Sequence, residues 1–204
     1  MSGNSSSLLW YVARGSGIVA FMLLTFSVAL GIAMNRRWYS RNWPRMVVDA
    51  MHRWFTITFF TFTLIHVVTI LLDPFSNVSL MNALIPFTGG YRPFWVSLGV
   101  IAIELGLAIG ASVWVRRFIG YRAWHIMHGL AYPIYGLSLL HGIFAGSDTG
   151  TMWTNVVYAG SAALIVMAIT WRLAPESKLR TTTVGVGALS LLALAAMNGH
   201  FLLG

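Results

Sequence analysis

Six long stretches of this chain are apolar almost without interruption, roughly 8–34, 46–72, 93–115, 123–145, 151–171 and 181–203. A helix needs about 20 apolar residues to cross about 30 Å of hydrocarbon, and each stretch meets that length. Short connections rich in arginine, glycine and proline separate them. The pattern predicts an all-α membrane protein, a bundle of six transmembrane helices forming one domain over residues 1–204. The longest connection, DPFSNVSLMNALIPFTGGYRPF, is itself apolar for a loop. It is expected to hold a short surface helix over Leu80–Ile85, with Gly89, Gly90 and Pro93 turning the chain into the third span.

Composition agrees with that reading. The chain is 57% hydrophobic and 9% charged, with a mean hydropathy of +0.74. A soluble domain of this size cannot bury so much apolar surface. The opening MSGNSSSLLW lacks a basic n-region, and the run after it is too long for a signal core, which predicts no cleaved leader. No strand followed by a glycine-rich turn marks a flavin or nicotinamide domain within these residues. Gly15, Ser16 and Gly17 lie inside the first apolar run and read as close helix packing rather than as a phosphate loop.

Charge sets the expected orientation. The first connection and the start of the second span hold Arg36, Arg37, Arg41, Arg45 and Arg53; the third holds Arg116, Arg117 and Arg122; the fifth holds Arg172, Lys178 and Arg180. Only Arg14 and Arg92 lie on the other side. The positive-inside rule therefore predicts that loops one, three and five are cytoplasmic and that both termini lie outside. The net charge of +8 sits at helix ends and forms no basic stripe, so no nucleic-acid partner is expected.

The polar residues inside the apolar runs carry the chemistry. The fourth span, AWHIMHGLAYPIYGLSLLHGIFA, has His125, His128 and His141; the second has His52 and His66. Histidine is costly in a bilayer, and five in two spans require a reason. The two spans run in the same direction, because one span between them returns the chain. His52 and His128 then lie at one depth near the cytoplasmic side, and His66 and His141 at another near the outer side. The separations are fourteen and thirteen residues, about 20 Å along a helix axis. One histidine per helix at each of two levels suits two haem b groups with bis-histidine ligation, placed between spans two and four. Two imidazoles per iron make a saturated centre suited to electron transfer. There are no cysteines, which excludes thiolate-bound clusters and thioether-linked haem.

Helical phase supports half of this. His52 and His66 share a face, whereas His128 and His141 fall roughly 140° apart on a straight helix. Either Pro133, with Gly129 and Gly136, changes the local winding, or the groups approach the fourth span from different sides. His125 competes with His128, being three residues away on nearly the same face. Depth and spacing favour His128, which leaves His125 to contact a propionate or to sit at the interface. Arg53, Arg122 and Arg37 near the inner level, and Arg14 and Arg92 near the outer, are the candidate propionate partners; each also reads as a headgroup contact. Glu104, mid-span, reads either as a protonated carboxyl bonded to a neighbouring helix or as a proton carrier. His200 reads as interfacial.

The segment HGLAYPIYGLSLLH, with Trp124 before it, resembles the haem-binding segment of the ferric reductase-like transmembrane domain family. ARGSGIVAF, IPFTGGYRPFWVSLG and HGIFAGSDTGTMW support the resemblance. The family includes ferric-chelate reductases, the membrane core of NADPH oxidases and the haem-binding subunit of the bacterial periplasmic methionine sulfoxide reductase system. The resemblance implies two b haems on His52, His66, His128 and His141 and electron transfer across a bacterial inner membrane. The donor would be a separate cytoplasmic flavoprotein or reduced flavin (FAD or FMN), and the acceptor ferric iron, oxygen or a periplasmic reductase. This makes the chain an electron-transfer subunit rather than a self-sufficient enzyme. Two rival readings remain: a quinol-linked cytochrome b in which Glu104 handles protons, and a non-redox membrane carrier with buried histidines.

Overall fold

A computed structural model describes the backbone over residues 3–174 and the side chains from residue 8 to residue 174. The sixth predicted span, with Lys178, Arg180, Asn198 and His200, lies outside the described residues. What is described is all helical. The elements are α1 (Gly3–Asn35), α2 (Arg45–Leu72), a short α3 (Leu80–Leu84), α4 (Pro93–His128), α5 (Ala131–Ala145) and α6 (Met152–Leu173).

The expectation of six membrane spans is corrected. Among the described residues, four stretches are long and apolar enough to cross a membrane: Leu8–Asn35, Arg45–Leu72, Pro93–Ala145 and Met152–Leu173. The predicted third and fourth spans are one 53-residue stretch. Sequence reading placed a loop at 116–122, but those residues are helical except for Gly120, at φ 80° and ψ 161°. That backbone region is open essentially to glycine alone, so one residue redirects the chain where a loop was expected.

The histidine-rich segment is also not the single helix expected between residues 123 and 145. His125 and His128 close α4, and His141 belongs to α5. Proline is the cause. Pro133 has no N–H to give the Gly129 carbonyl, and the Tyr132 N–H takes that carbonyl instead, at 3.2 Å. The Leu130 N–H likewise reaches back three residues, to Met127. A tight turn therefore separates two α-helices and changes the winding between His128 and His141. His128 and His141 therefore lie on two helices rather than on the one fourth helix expected.

The chain falls into two compact units. The first takes Met1–Phe21 and Phe59–Ser147. In it the end of α5 meets the start of α4, so the two run antiparallel. The Arg92 Nη1 donates to the Phe144 carbonyl at 2.6 Å, and Trp95 stacks on Phe144 with centroids 4.1 Å apart. Phe21 of α1 stacks on Tyr135 of α5. Phe60 of α2 lies against Gly106 and Gly110 of α4. The connection before α4 is well tied: Asp73 and Pro74 end α2, Ser79 and Asn82 form a reciprocal cap on α3, and the Ser97 hydroxyl accepts from the Phe87 N–H.

The second unit takes Met22–Thr58 and the chain from Asp148 onward. Here α1 and α6 are joined by Thr25 and Ser161, whose hydroxyl oxygens lie 2.7 Å apart. Ser27 of α1 and Thr56 of α2 make the corresponding link at 2.7 Å. Ile32 and Val48 are fully buried, and the Arg36 guanidinium donates to the Ala174 carbonyl.

Outward-facing apolar side chains run through both units. Leu64 is 64% exposed, Trp114 79% and Leu173 75%. Such residues are stable only against lipid, which agrees with the apolar runs and with a multi-pass membrane protein. Polar side chains within the spans satisfy themselves locally. The hydroxyls of Ser16, Thr56, Thr63, Thr69 and Thr170 each donate to a carbonyl four residues earlier, as a medium without water requires.

Candidate functional site

The site is built from histidines that α2 and α5 carry inward. In the first unit, His66 and His141 are brought together from different helices, with ring centroids 6.4 Å apart and planes at 81°. Each ring is anchored by its Nδ1 on the backbone of a third element. His66 Nδ1 is 2.7 Å from the Ala13 carbonyl of α1. His141 Nδ1 is 3.0 Å from the Trp95 carbonyl of α4. A carbonyl only accepts, so each Nδ1 carries the proton and each Nε2 keeps its lone pair. That is the tautomer in which a neutral histidine binds a metal through Nε2, with its second nitrogen oriented by a hydrogen bond.

The spacing suits the haem that the sequence resemblance implies. Two imidazoles on opposite sides of one metal ion, with metal–nitrogen bonds of about 2.0 Å, place their ring centres about 6 Å apart. The observed 6.4 Å fits, and the donor set of two imidazole nitrogens is the right chemistry. His66 and His141 are therefore the residues that would hold the group. Among the described residues no cluster of three or more histidine, aspartate or glutamate side chains exists, so a multi-carboxylate metal centre is not what this arrangement offers.

In the second unit, His52 follows the same local rule. Its Nδ1 lies 2.9 Å from the Ser27 carbonyl and 3.2 Å from the Ser27 hydroxyl. The Thr56 hydroxyl, bonded to that of Ser27, donates to the His52 carbonyl at 2.8 Å. His128 belongs to the first unit and stacks on Trp124, centroids 5.1 Å apart and planes at 22°. His125 is exposed and stacks on Tyr121 instead.

The candidate cations separate clearly. Arg14 is half-buried, with its guanidinium carbon 3.8 Å from the Trp10 ring centre and 5.8 Å from that of Tyr11. A cation held so is worth roughly 0.5–2 kcal/mol, more when desolvated. Arg53 and Arg122 are exposed. Arg116, which the sequence did not single out, lies over both Tyr121 and Trp124. Glu104 is exposed on α4 rather than tucked against a neighbouring helix, so the hydrogen-bonded carboxyl expected there is not observed.

The residues that sequence reasoning missed are the anchors themselves, Ala13, Ser27 and Trp95 through their carbonyls, and Gly99 through the space it leaves; Gly17, read as a close-packing residue, does admit the His66 ring. One signal was available. Ala13 and Ser27 are fourteen residues apart, as are His52 and His66, the register of two antiparallel helices meeting twice.

No curated protein and no solved structure matches the chain. The family model described as ferric reductase like transmembrane component matches residues 16–139, a stretch that holds His52, His66 and His128 and ends two residues before His141. With more than half of its length under that model, and with histidines set on backbone carbonyls inside apolar helices, the chain belongs to the ferric reductase-like transmembrane family.

Proposed function

We propose that this protein is a membrane electron-transfer subunit that holds haem b through bis-histidine ligation. The observation that carries the reading is the His66–His141 pair: two imidazoles 6.4 Å apart, each with Nδ1 committed to a helix carbonyl. The spacing of the histidines in the sequence supports His52 and His128 as further haem-ligand residues. Haem, when bound, would supply a reversible one-electron couple there.

The chain's own residues do the rest. The Ala13 and Trp95 carbonyls hold the proton on each Nδ1 and keep the rings aimed. The surrounding apolar side chains exclude water. Arg14, braced by Trp10, supplies a positive charge near the outer pair for a propionate. Arg53 and Arg122, by their place in the sequence, are cations for further propionates. The clustering of arginine in 36–53 and 116–122 supports a cytoplasmic electron-accepting side and outer termini in a bacterial inner membrane. Electrons come from a separate flavoprotein or reduced flavin and leave to ferric iron, oxygen or a periplasmic redox partner.

The test is haem per polypeptide on the detergent-purified protein, with a dithionite-reduced minus oxidised spectrum. Two b-type haems with a low-spin spectrum are expected. No haem after expression with ample haem supply would overturn the reading and favour a non-redox carrier. Loss of haem reduction on adding a quinone analogue would redirect it to a quinol-linked cytochrome.

A further inference from the structure

We propose that Gly17 and Gly99 are positioning residues for the two outer histidines. Each is a notch that admits an imidazole edge to a carbonyl one helical turn away. The inference rests on the proposed ligand role of His66 and His141, and it names what sets their orientation.

The two contacts share one geometry. His66 accepts its place from α1: its Nδ1 bonds the Ala13 carbonyl at 2.7 Å, and Gly17 lies four residues further along. A Cβ on Gly17 would stand 2.8 Å from that Nδ1 and 2.9 Å from Cε1. His141 takes its place from α4: its Nδ1 bonds the Trp95 carbonyl at 3.0 Å, and Gly99 again lies four residues on. A Cβ there would stand 2.7 Å from Nδ1, 2.8 Å from Cε1 and 2.9 Å from Cγ.

Helix geometry explains the interval. The carbonyl of residue i accepts from the N–H of residue i+4, and one of its lone pairs remains for a second donor. A side chain on residue i+4 stands over that carbonyl, because Cβ atoms tilt toward the helix N-terminus. Removing the Cβ at i+4 opens the second lone pair to a ring from a neighbouring helix. Both occurrences therefore need glycine at one register position, on two different helices.

Ordinary helix packing gives a different pattern. Gly106 and Gly110 of α4 face the Phe60 ring, and a Cβ on either would sit 3.5–3.8 Å from it, in normal contact. Gly31 repeats the interval from Ser27 beside His52, but a Cβ there would be 3.5 Å from the ring. The carbonyl anchor thus recurs at His52 with room to spare, and glycine is not required at that position.

The ring atoms are the ones that must give way at Gly17 and Gly99, and moving them breaks the Nδ1 bond that fixes the tautomer. The experiment has two readouts. On apoprotein with 15N-labelled histidine in detergent, the imidazole 15N shifts report which nitrogen carries the proton. Gly17→Ala is expected to remove the Nδ1-protonated signature of His66, and Gly99→Ala that of His141, while Gly106→Ala leaves all signatures unchanged. On the haem-loaded protein, Gly17→Ala and Gly99→Ala are each expected to remove about half of the ferric low-spin signal. Gly31→Ala and Gly106→Ala retain it.

A protein that binds no haem would overturn the proposed function, but the 15N readout would still decide the role of the glycines. Where Gly99→Ala yields no folded protein, the same change in a His141→Ala background decides. Recovery of a monodisperse protein there supports a clash with the ring, and continued failure overturns it. Wild-type tautomers in both Gly17→Ala and Gly99→Ala, or equal loss in Gly106→Ala, would overturn the proposal outright.

Discussion

Replacing Gly120 by alanine tests whether one backbone position lets α5 return along α4. Gly120 has φ 80° and ψ 161°, and a Cβ added there meets nothing within 4 Å. No packing term opposes or assists the new methyl, so the whole effect is backbone. A non-glycine residue held in that region costs of order 1–3 kcal/mol, roughly a five- to hundredfold loss in the folded-to-unfolded ratio at 1.4 kcal/mol per tenfold. Gly160 in α6 is the opposing control. Its Cβ also enters open space, but its backbone is helical. Alanine there is expected to stabilise by about 0.5–1 kcal/mol, because glycine loses more freedom on ordering. The assay is unfolding by titration of dodecyl sulfate into mild detergent micelles, followed by the fluorescence of the nine tryptophans. The two substitutions should move the midpoint in opposite directions. A Gly120→Ala protein within about 0.5 kcal/mol of wild type, the range of ordinary surface changes, would refute the claim that the backbone at this position is reserved for glycine.

Other expectations follow from single contacts. His66→Ala and His141→Ala should each lower haem from two to one per chain by pyridine haemochrome assay, and the double variant should lower it no further, since both rings serve one centre. Ser27→Ala should leave the His52 Nδ1 proton in place by 15N shift, because the Ser27 backbone carbonyl at 2.9 Å survives the change; the lost hydroxyl link to Thr56 should cost about 0.5–1.5 kcal/mol in the same dodecyl sulfate titration. Phe144→Leu should cost about 0.5–1.5 kcal/mol through loss of the stack on Trp95, and it should weaken retention of the outer haem on dilution more than that of the inner one.

Much of the fold was legible because the bilayer imposes long apolar runs. The bounds of α2 and the start of α4 at Pro93 could be read from Pro44, Asp73, Pro74 and Pro93, residues whose backbone chemistry starts or stops helices. The surface helix after α2 was likewise readable from its apolar loop. The count of spans was not. Arg116–Arg122 looks like a loop by charge, yet charged residues are good helix formers at a membrane edge. Only Gly120 breaks the dihedrals, and a lone glycine in a sequence does not announce a positive φ. The break at Gly129–Leu130 was half legible: Pro133 marked a disturbance, but which carbonyl would be re-bonded depends on the turn that forms. Within the site, His66 and His141 were paired by depth alone, although they lie on helices of unlike phase. The altered winding ahead of α5 reconciles that.

The orienting partners were invisible for a physical reason. A metal-binding histidine commonly gives its second N–H to a carboxylate or a carbonyl. A carboxylate inside hydrocarbon is expensive, and this chain has five acidic residues in all. A helix carbonyl already carries one hydrogen bond, so it adds a second acceptor position without bringing a charge into the membrane. Any residue type supplies that carbonyl, which is why Ala13, Ser27 and Trp95 have no side-chain chemistry in common. Substituting the acceptor residue leaves the acceptor in place. What sequence does control is access to it, through the residue one turn later. In a site anchored on backbone, then, sensitivity to mutation should fall on glycines that touch no ligand rather than on the residues that make the hydrogen bonds. Ala13→Leu, which keeps its carbonyl, is accordingly expected to preserve the His66 tautomer that Gly17→Ala destroys. The reverse ranking in the 15N spectra would show that side-chain packing, not the open carbonyl, holds the ring.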